Sequence, residues 1–221
     1  MPERGRPAQS EALAGLIPVQ LRFETGLTGE DYVTREVWRE ARLLCCPLHP
    51  HGGCGLARHG TYARKTPTGT KISRWYCREG HCTFSLLPDH LAARFPGTLA
   101  EIERVVEAVE SASSLEAAAE VLRPDPITLP SALRWMRRRV VPVRALLCVV
   151  IAMFPGAFLG CAPRIAALRE RLGCRGLLSG LRERAALHLH ALSSPLGFRH
   201  RGHCSVKSGS RIQQPMGPAP P

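Results

Sequence analysis

Two runs rich in cysteine and histidine, Cys46-Pro-Leu-His-Pro-His-Gly-Gly-Cys54 and Trp75-Tyr-Cys77-Arg-Glu-Gly-His-Cys82, stand on either side of a stretch with the composition of a β-hairpin. Thiolate and imidazole groups that bracket a short hairpin are typical of a small domain closed around zinc. Such a site contributes folding free energy that a few apolar residues cannot provide. The sequence therefore predicts a structural zinc site between residues 46 and 82.

The ligand set of this site follows from spacing only in part. Half-sites usually read C-x2-C or C-x2-H, whereas here the cysteines are separated by longer gaps and more candidates are present than one ion needs. Ordinary loop cysteines and surface histidines without a metal remain an alternative. We predict four ligands with three alternates, namely Cys46, Cys54, Cys77 and Cys82, and then His49, His51 and His81.

Composition favours an intracellular chain with a polyanionic partner. The 221 residues carry a net charge of +12, and nine cysteines include three in apolar surroundings. The first residues show no hydrophobic region of a signal peptide, which with the odd cysteine count indicates a reducing compartment, and we expect a cytoplasmic protein. A basic chain is predisposed to bind nucleic acid or anionic membranes.

The first half of the chain reads as a lead-in followed by a β-rich module. Residues 1–42 form the lead-in, with a strand or short helix at residues 16–23 and a helix at residues 31–44, where valines recur at spacing four. Residues 43–95 form the zinc-ribbon-like module, with predicted strands at residues 62–65, 72–77 and 83–87.

The second half is predicted to be mainly helical, which makes the fold class α+β. Residues 96–145 contain two capped helices that begin near Thr98 and Ser113, then a basic helix that starts at Pro130 and ends or kinks at Pro142. This arrangement resembles a helix-turn-helix unit. Residues 146–192 form a helical C-terminal region, and residues 193–221 read as a disordered basic tail.

An uncharged run at residues 145–161 is the one candidate for a membrane segment. It is shorter than the roughly 20 apolar residues that a spanning helix needs, and Pro155-Gly156 interrupts it. We therefore expect a buried core helix, and membrane attachment is the less favoured reading.

Basic side chains of the module and of the third helix are the expected DNA contacts. In a helix-turn-helix unit one helix enters the major groove, and arginine is a frequent partner of both phosphates and guanine edges. The alternative is a solvated basic face on a structural helix. The candidates for contact with double-stranded DNA are Arg64, Lys65, Lys71, Arg74, Arg134, Arg137 and Arg138.

Three short runs carry a family resemblance. Arg58-His-Gly-Thr-Tyr-Ala-Arg64, Arg74-Trp-Tyr-Cys77 and Cys82-Thr-Phe-Ser-Leu-Leu-Pro88 resemble the N-terminal zinc-binding region of bacterial transposase-like proteins. The resemblance covers residues 43–140 and implies a zinc-ribbon-like module before a helix-turn-helix, binding of DNA and a mobile-element origin. The long first half-site and the four residues between Cys77 and Cys82 depart from the family pattern.

Catalysis is not expected. Strand transfer by a transposase needs about three carboxylates around two metal ions, and the only aspartates, Asp31, Asp89 and Asp125, do not end apolar strands. The Cys-x2-Cys and His-x-Glu signatures of zinc deaminases are also missing. The runner-up to DNA binding is a protein-interaction module with a structural zinc, whose partner is a transposase or a second copy of the chain.

Overall fold

The computed structural model describes residues 19–122 and 127–198. Its first half contains a four-stranded sheet and its second half is helical, so the predicted α+β class is confirmed. The sheet consists of β1 (Gln20–Phe23), β2 (Ala57–Ala63), β3 (Lys71–Cys77) and β4 (Cys82–Pro88), in the order β1-β4-β3-β2. Strand β1 is parallel to β4, and the other two pairings are antiparallel.

The lead-in contains a shorter helix than the spacing of its valines predicts. Helix α1 spans Gly29–Thr34, and a single 3-10 turn follows at Val37–Arg39. The predicted helix over residues 31–44 does not form because Glu36 between them adopts a left-handed conformation with φ of 48°. The break turns the chain so that Tyr32 and Trp38 are both buried, with their ring centroids 5.7 Å apart.

The first two helices after the sheet begin at side-chain caps. Helix α2 (Leu99–Ser111) starts with the predicted capping box, in which the Glu101 amide donates to the Thr98 hydroxyl and the Thr98 amide donates to the Glu101 carboxylate. Helix α3 (Leu115–Leu122) follows, and the hydroxyl of Ser114 rather than that of Ser113 accepts the amide of Ala117.

Helix α4 (Leu129–Met153) is the longest element and contacts both α2 and α3. It continues through Pro142, where the sequence predicts an end or a kink, and it crosses the predicted boundary between residues 145 and 146. Its buried face, which includes Met136, Val143 and Val150, packs along its whole length, and this packing outweighs the hydrogen bond that a proline removes.

Three short helices complete the described chain, α5 (Pro155–Phe158), α6 (Ile165–Leu172) and α7 (Leu177–Arg184), with a 3-10 turn at Ala186–His188. Within residues 19–122 and 127–198, no helix is both long and apolar enough to cross a membrane.

The sheet and the helices share one core. Ile72 and Leu87 of the sheet belong to the same buried cluster as Leu147 of α4 and Leu178 of α7. Leu196 and Phe198 also belong to it, although residues 193–198 were predicted as the start of a disordered tail. Residues 199–221 of that predicted tail lie outside the described residues.

A buried arginine explains why the segment at residues 193–198 is packed. The guanidinium of Arg182, whose side chain is 1% exposed, donates to four backbone carbonyls at 2.6–3.1 Å. Two belong to Pro195 and Leu196 and two to Asp89 and Leu91. These bonds tie the segment to the loop that follows β4.

Candidate metal centre

Four side chains from the two cysteine-rich runs meet at one point. The thiols of Cys46, Cys54 and Cys77 and the imidazole of His49 place their ligand atoms within 4.8 Å of one another. The three cysteines are buried and the histidine is half-buried. Three thiols and one imidazole are a donor set that can hold a metal ion such as zinc.

The distances inside this cluster match a tetrahedral site. The Nδ1 atom of His49 lies 3.4 Å from the Sγ of Cys77 and 3.7 Å from the Sγ of Cys46. Ligands at 2.3 Å for sulfur and 2.0–2.1 Å for nitrogen, arranged tetrahedrally, lie about 3.6 Å apart. All eight cysteines of the described chain are free thiols, so none of these sulfurs is lost to a disulfide.

The first half-site is a compact turn. The amide of His49 donates to the carbonyl of Cys46 at 3.1 Å, and the amide of Gly52 donates to the carbonyl of His49 at 2.9 Å. Gly52 and Gly53 then adopt φ values of 83° and 82°, a region that favours glycine. The chain thereby reverses, and Cys54 returns beside Cys46.

The second half-site is the end of strand β3. Cys77 is its last residue, and the amide of Gly80 donates to the Cys77 sulfur at 3.2 Å. A hydrogen bond to sulfur favours the thiolate, which is the form that binds a metal. A Cβ atom at Gly80 would lie 2.4 Å from Cδ1 of Leu48, so glycine lets the two half-sites approach closely.

Burial and hydrogen bonding shift the pKa values of Cys46 and Cys77 in opposite directions. Burial acts to raise the pKa of Cys46, but hydrogen bonds with the His49 side chain and with backbone amides outweigh it and lower the pKa to about 7. Burial raises the pKa of Cys77 to about 11. The protein alone therefore favours the thiolate at Cys46 and disfavours it at Cys77, and a bound divalent cation would favour ionisation of the thiols that coordinate it.

Three of the four preferred ligands are brought together, and Cys82 is not among them. It lies opposite Cys77 in the β3–β4 ladder and packs at the edge of the buried cluster, where burial raises its pKa. His49 occupies the fourth position because the turn that starts at Cys46 points its ring at Cys77. The Cys46-x2-His49 spacing was the sequence signal for this residue.

The two remaining alternates lie outside the cluster. His51 is exposed in the first turn. His81, also exposed, has its Nδ1 atom 3.3 Å from the hydroxyl of Tyr76. Four protein donors would complete a tetrahedral ion and leave no position for a substrate, which is the arrangement of a structural site.

The predicted DNA contacts of the β-rich module differ in their exposure and in the groups that they contact. Arg64 is half-buried and donates to the carbonyls of Ala92 and Phe95, and its pKa is lowered by burial. The ammonium of Lys71 lies 5.6 Å from the ring centroid of Trp38. Lys65 is exposed and Arg74 is half-buried. The guanidinium of Arg64 is thus occupied by backbone carbonyls of the segment after β4, whereas Lys65 is available to a partner.

The predicted contacts of the third helix all lie on its outer face. Arg134, Arg137 and Arg138 of α4 are exposed, and no salt bridge reaches them within the part of the chain that the structure describes. Their charges are therefore free to attract an anion.

Comparison of the chain with protein families, with curated proteins and with solved structures finds no match. The transposase-like resemblance therefore stays a prediction.

Proposed function

We propose that this protein is a zinc-stabilised DNA-binding protein that lacks a catalytic domain. The observation that carries the proposal is the row of exposed arginines on α4, which form no salt bridge with any described residue, on a chain whose net charge is +12. The expected partner is double-stranded DNA, which is held mostly through its phosphates.

The zinc part of the proposal rests on the fit of the Cys46, His49, Cys54 and Cys77 donors. Their chemistry, burial and spacing suit Zn²⁺, and a carboxylate, which Ca²⁺ or Mg²⁺ would prefer, is missing from the cluster. Bound zinc would join the loop before β2 to the β3–β4 turn. The residues would thus fix the sheet rather than act on a substrate.

The DNA part rests on charge and position. The helices α2 and α3 precede α4 and pack against it, which is the chain order that the predicted helix-turn-helix requires. Arginines on α4 and Lys65 in the β2–β3 connection supply the cations. The resemblance to bacterial transposase-like proteins supports the same reading and suggests a mobile-element origin.

One experiment tests both parts on the same sample. Full-length protein is titrated with a blunt DNA duplex at about 50 and 200 mM salt while its zinc content is measured. About four phosphate contacts predict roughly a 100-fold loss of affinity over this range. Cys77→Ser should abolish zinc and binding together, whereas the matched control Cys148→Ser, at an exposed cysteine outside the cluster, should retain both.

Charge reversal tests the helix face directly. Combined Arg134→Glu and Arg138→Glu should weaken duplex binding at least about tenfold. Arg175→Glu is the matched control, since Arg175 is exposed between α6 and α7 and is not one of the predicted DNA contacts. Zinc-loaded protein that fails to bind any DNA at low salt would overturn the DNA part.

A protein-interaction module is the second candidate, and one observation favours it. Helix α4 exposes Val141 and Val149, at 64% and 45%, on the C-terminal side of Arg139. Exposed apolar side chains on one helix suit a partner helix or a second copy of the chain. An association of this kind would persist at high salt, which separates it from phosphate binding.

A further inference from the structure

A concave surface that we call the arginine groove separates α4 from the turn at residues 94–96. Its volume is about 1150 Å³, and it is lined by five arginines. Arg94 projects from the turn, and the others, Arg134, Arg137, Arg138 and Arg139, come from two successive turns of α4. Because cations line both walls, the groove suits a ligand that carries several negative charges in a row.

The groove also contains an exposed indole. Trp135 is 36% exposed, whereas Trp38 is 5% exposed. The guanidinium of Arg139 lies 4.0 Å from the Trp135 ring centroid and donates to the Trp135 carbonyl at 3.2 Å. This stacking holds the indole in place against the helix. A second aromatic side chain, Phe95, lines the opposite wall.

The wall that faces α4 is held in advance of any ligand. Arg64 donates to the carbonyls of Ala92 and Phe95, which fixes the turn from the sheet side. Arg94 itself has a φ of 55°, in the left-handed region, and it lines the groove. Because the groove is already formed before binding, little free energy is lost in ordering its side chains when a ligand binds.

The acidic side chain of Glu101 lies near this surface. Burial lowers the pKa of Arg139, and the negative charge of Glu101, at the start of α2, raises it. Arg139 is the arginine that already stacks on the indole. The carboxylate of Glu101 is engaged by the amide of Thr98. Arg134, Arg137 and Arg138 are exposed and can be reached by a ligand.

Phosphate-binding cations and an aromatic ring in one concavity suit unpaired nucleotides better than a duplex. A duplex keeps its bases stacked inside and offers only phosphates to a concave surface, whereas a single strand offers both phosphates and base faces. We propose that the arginine groove binds single-stranded DNA, with phosphates on the arginines and a base stacked against Trp135. This inference rests on the proposed DNA binding and specifies that the preferred DNA contains an unpaired stretch.

The test uses zinc-loaded, full-length protein and two probes. One is an oligothymidylate of about 15 nucleotides, and the other is a blunt duplex of the same length. Trp135→Leu removes the ring, and Trp135→Phe keeps a smaller one. Zinc content and the far-ultraviolet circular dichroism spectrum verify that each variant is folded, and Arg175→Glu serves as the surface control.

The measured quantity is the ratio of the two dissociation constants. Trp135→Leu should reduce the preference for oligothymidylate over duplex about tenfold, and Trp135→Phe should restore most of it. Oligothymidylate should also quench tryptophan emission in the wild type and not in the Leu variant. A ratio that Trp135→Leu leaves unchanged, with duplex still bound in a salt-dependent way, overturns this inference alone. Wild-type protein that binds neither probe overturns the proposed function as well.

Discussion

The Nδ1 atom of His49 lies 3.4 Å from the sulfur of Cys77, although 28 residues separate the two along the chain. Strand β2 and the β2–β3 connection lie between them in sequence, so this pair joins the two ends of the hairpin. The contact selects His49 over Cys82 as the fourth donor beside Cys46 and Cys54.

The first prediction concerns this choice of ligand. His49→Ala should lower zinc affinity by more than about 100-fold, because one of four donors is lost. Cys82→Ser should leave one zinc per chain, since the four ligand atoms are intact. Competition with a chromophoric chelator measures both affinities. The opposite result, zinc lost with Cys82→Ser and kept with His49→Ala, would reinstate the four-cysteine site.

A second prediction concerns Gly197. A Cβ atom there would lie 2.2 Å from the carbonyl oxygen of Leu192 and 2.4 Å from its Cβ, and backbone cannot move aside cheaply. Gly197→Ala should therefore lower the free energy of unfolding by about 3 kcal/mol. Gly156→Ala is the control, because nothing lies within 4 Å of that Cβ position. Equal urea midpoints for the two variants would contradict the packing of residues 193–198.

A third prediction separates two neighbouring cations. Arg64→Ala should cost about 1–3 kcal/mol of stability, because the carbonyls of Ala92 and Phe95 lose a charged donor. Lys65→Ala should change stability by less than about 0.5 kcal/mol, since Lys65 is exposed. In DNA titrations Lys65→Ala should reduce the salt slope by about 1. Urea unfolding and salt-dependent binding on both variants check the assignment, and it fails if their roles are exchanged.

The fourth prediction concerns pH and His90. Burial lowers the pKa of His90 to about 4, while Asp89 raises it and Arg182 and Arg64 lower it further. Its two ring nitrogens have no hydrogen-bond partner among the described residues. Because the unfolded chain binds a proton below about pH 6.5 and the folded chain does not until about pH 4, stability falls as pH decreases through this window.

The expected loss is on the order of 1 kcal/mol, reduced from the full shift because the ring keeps some contact with solvent. His90→Gln should flatten the dependence of unfolding free energy on pH between 4 and 6.5. His190→Gln, at an exposed histidine, should leave it as in the wild type. A slope that survives in His90→Gln would assign the acid sensitivity to carboxylates instead.

Local patterns were the part of the fold that the sequence could predict. Alternation over residues 72–77 gave strand β3 to within one residue, and the Thr98–Glu101 pair gave the start of α2. Both depend on neighbours within four positions, which is the range over which periodicity and capping act.

Features set by distant contacts were not predictable in this way. Val33, Val37 and Ala41 recur at helical spacing, yet the left-handed Glu36 redirects the chain so that Trp38 packs beside Tyr32. The fourth ligand depends on how the turn after Cys46 folds against β3, which spacing alone does not specify. Each outcome is decided by tertiary packing.

Composition was also a poor guide to residues 193–198. Serine, proline and glycine there suggest disorder, but Leu196 and Phe198 enter the core and Arg182 donates to the carbonyls of Pro195 and Leu196. The partner that orders this segment is a charged residue on α7, which hydropathy assigns to the surface. A buried arginine is recognisable only once its acceptors are in place.

The bonds from Arg182 to Asp89, Leu91, Pro195 and Leu196 have a consequence for biosynthesis. The sheet is fully translated by residue 88, but its buried face shares a core with a segment translated about a hundred residues later. The nascent chain must therefore keep an unfinished apolar surface until Phe198 has left the ribosome. During that interval, early zinc capture by the 46–77 region would protect the sheet from misassembly.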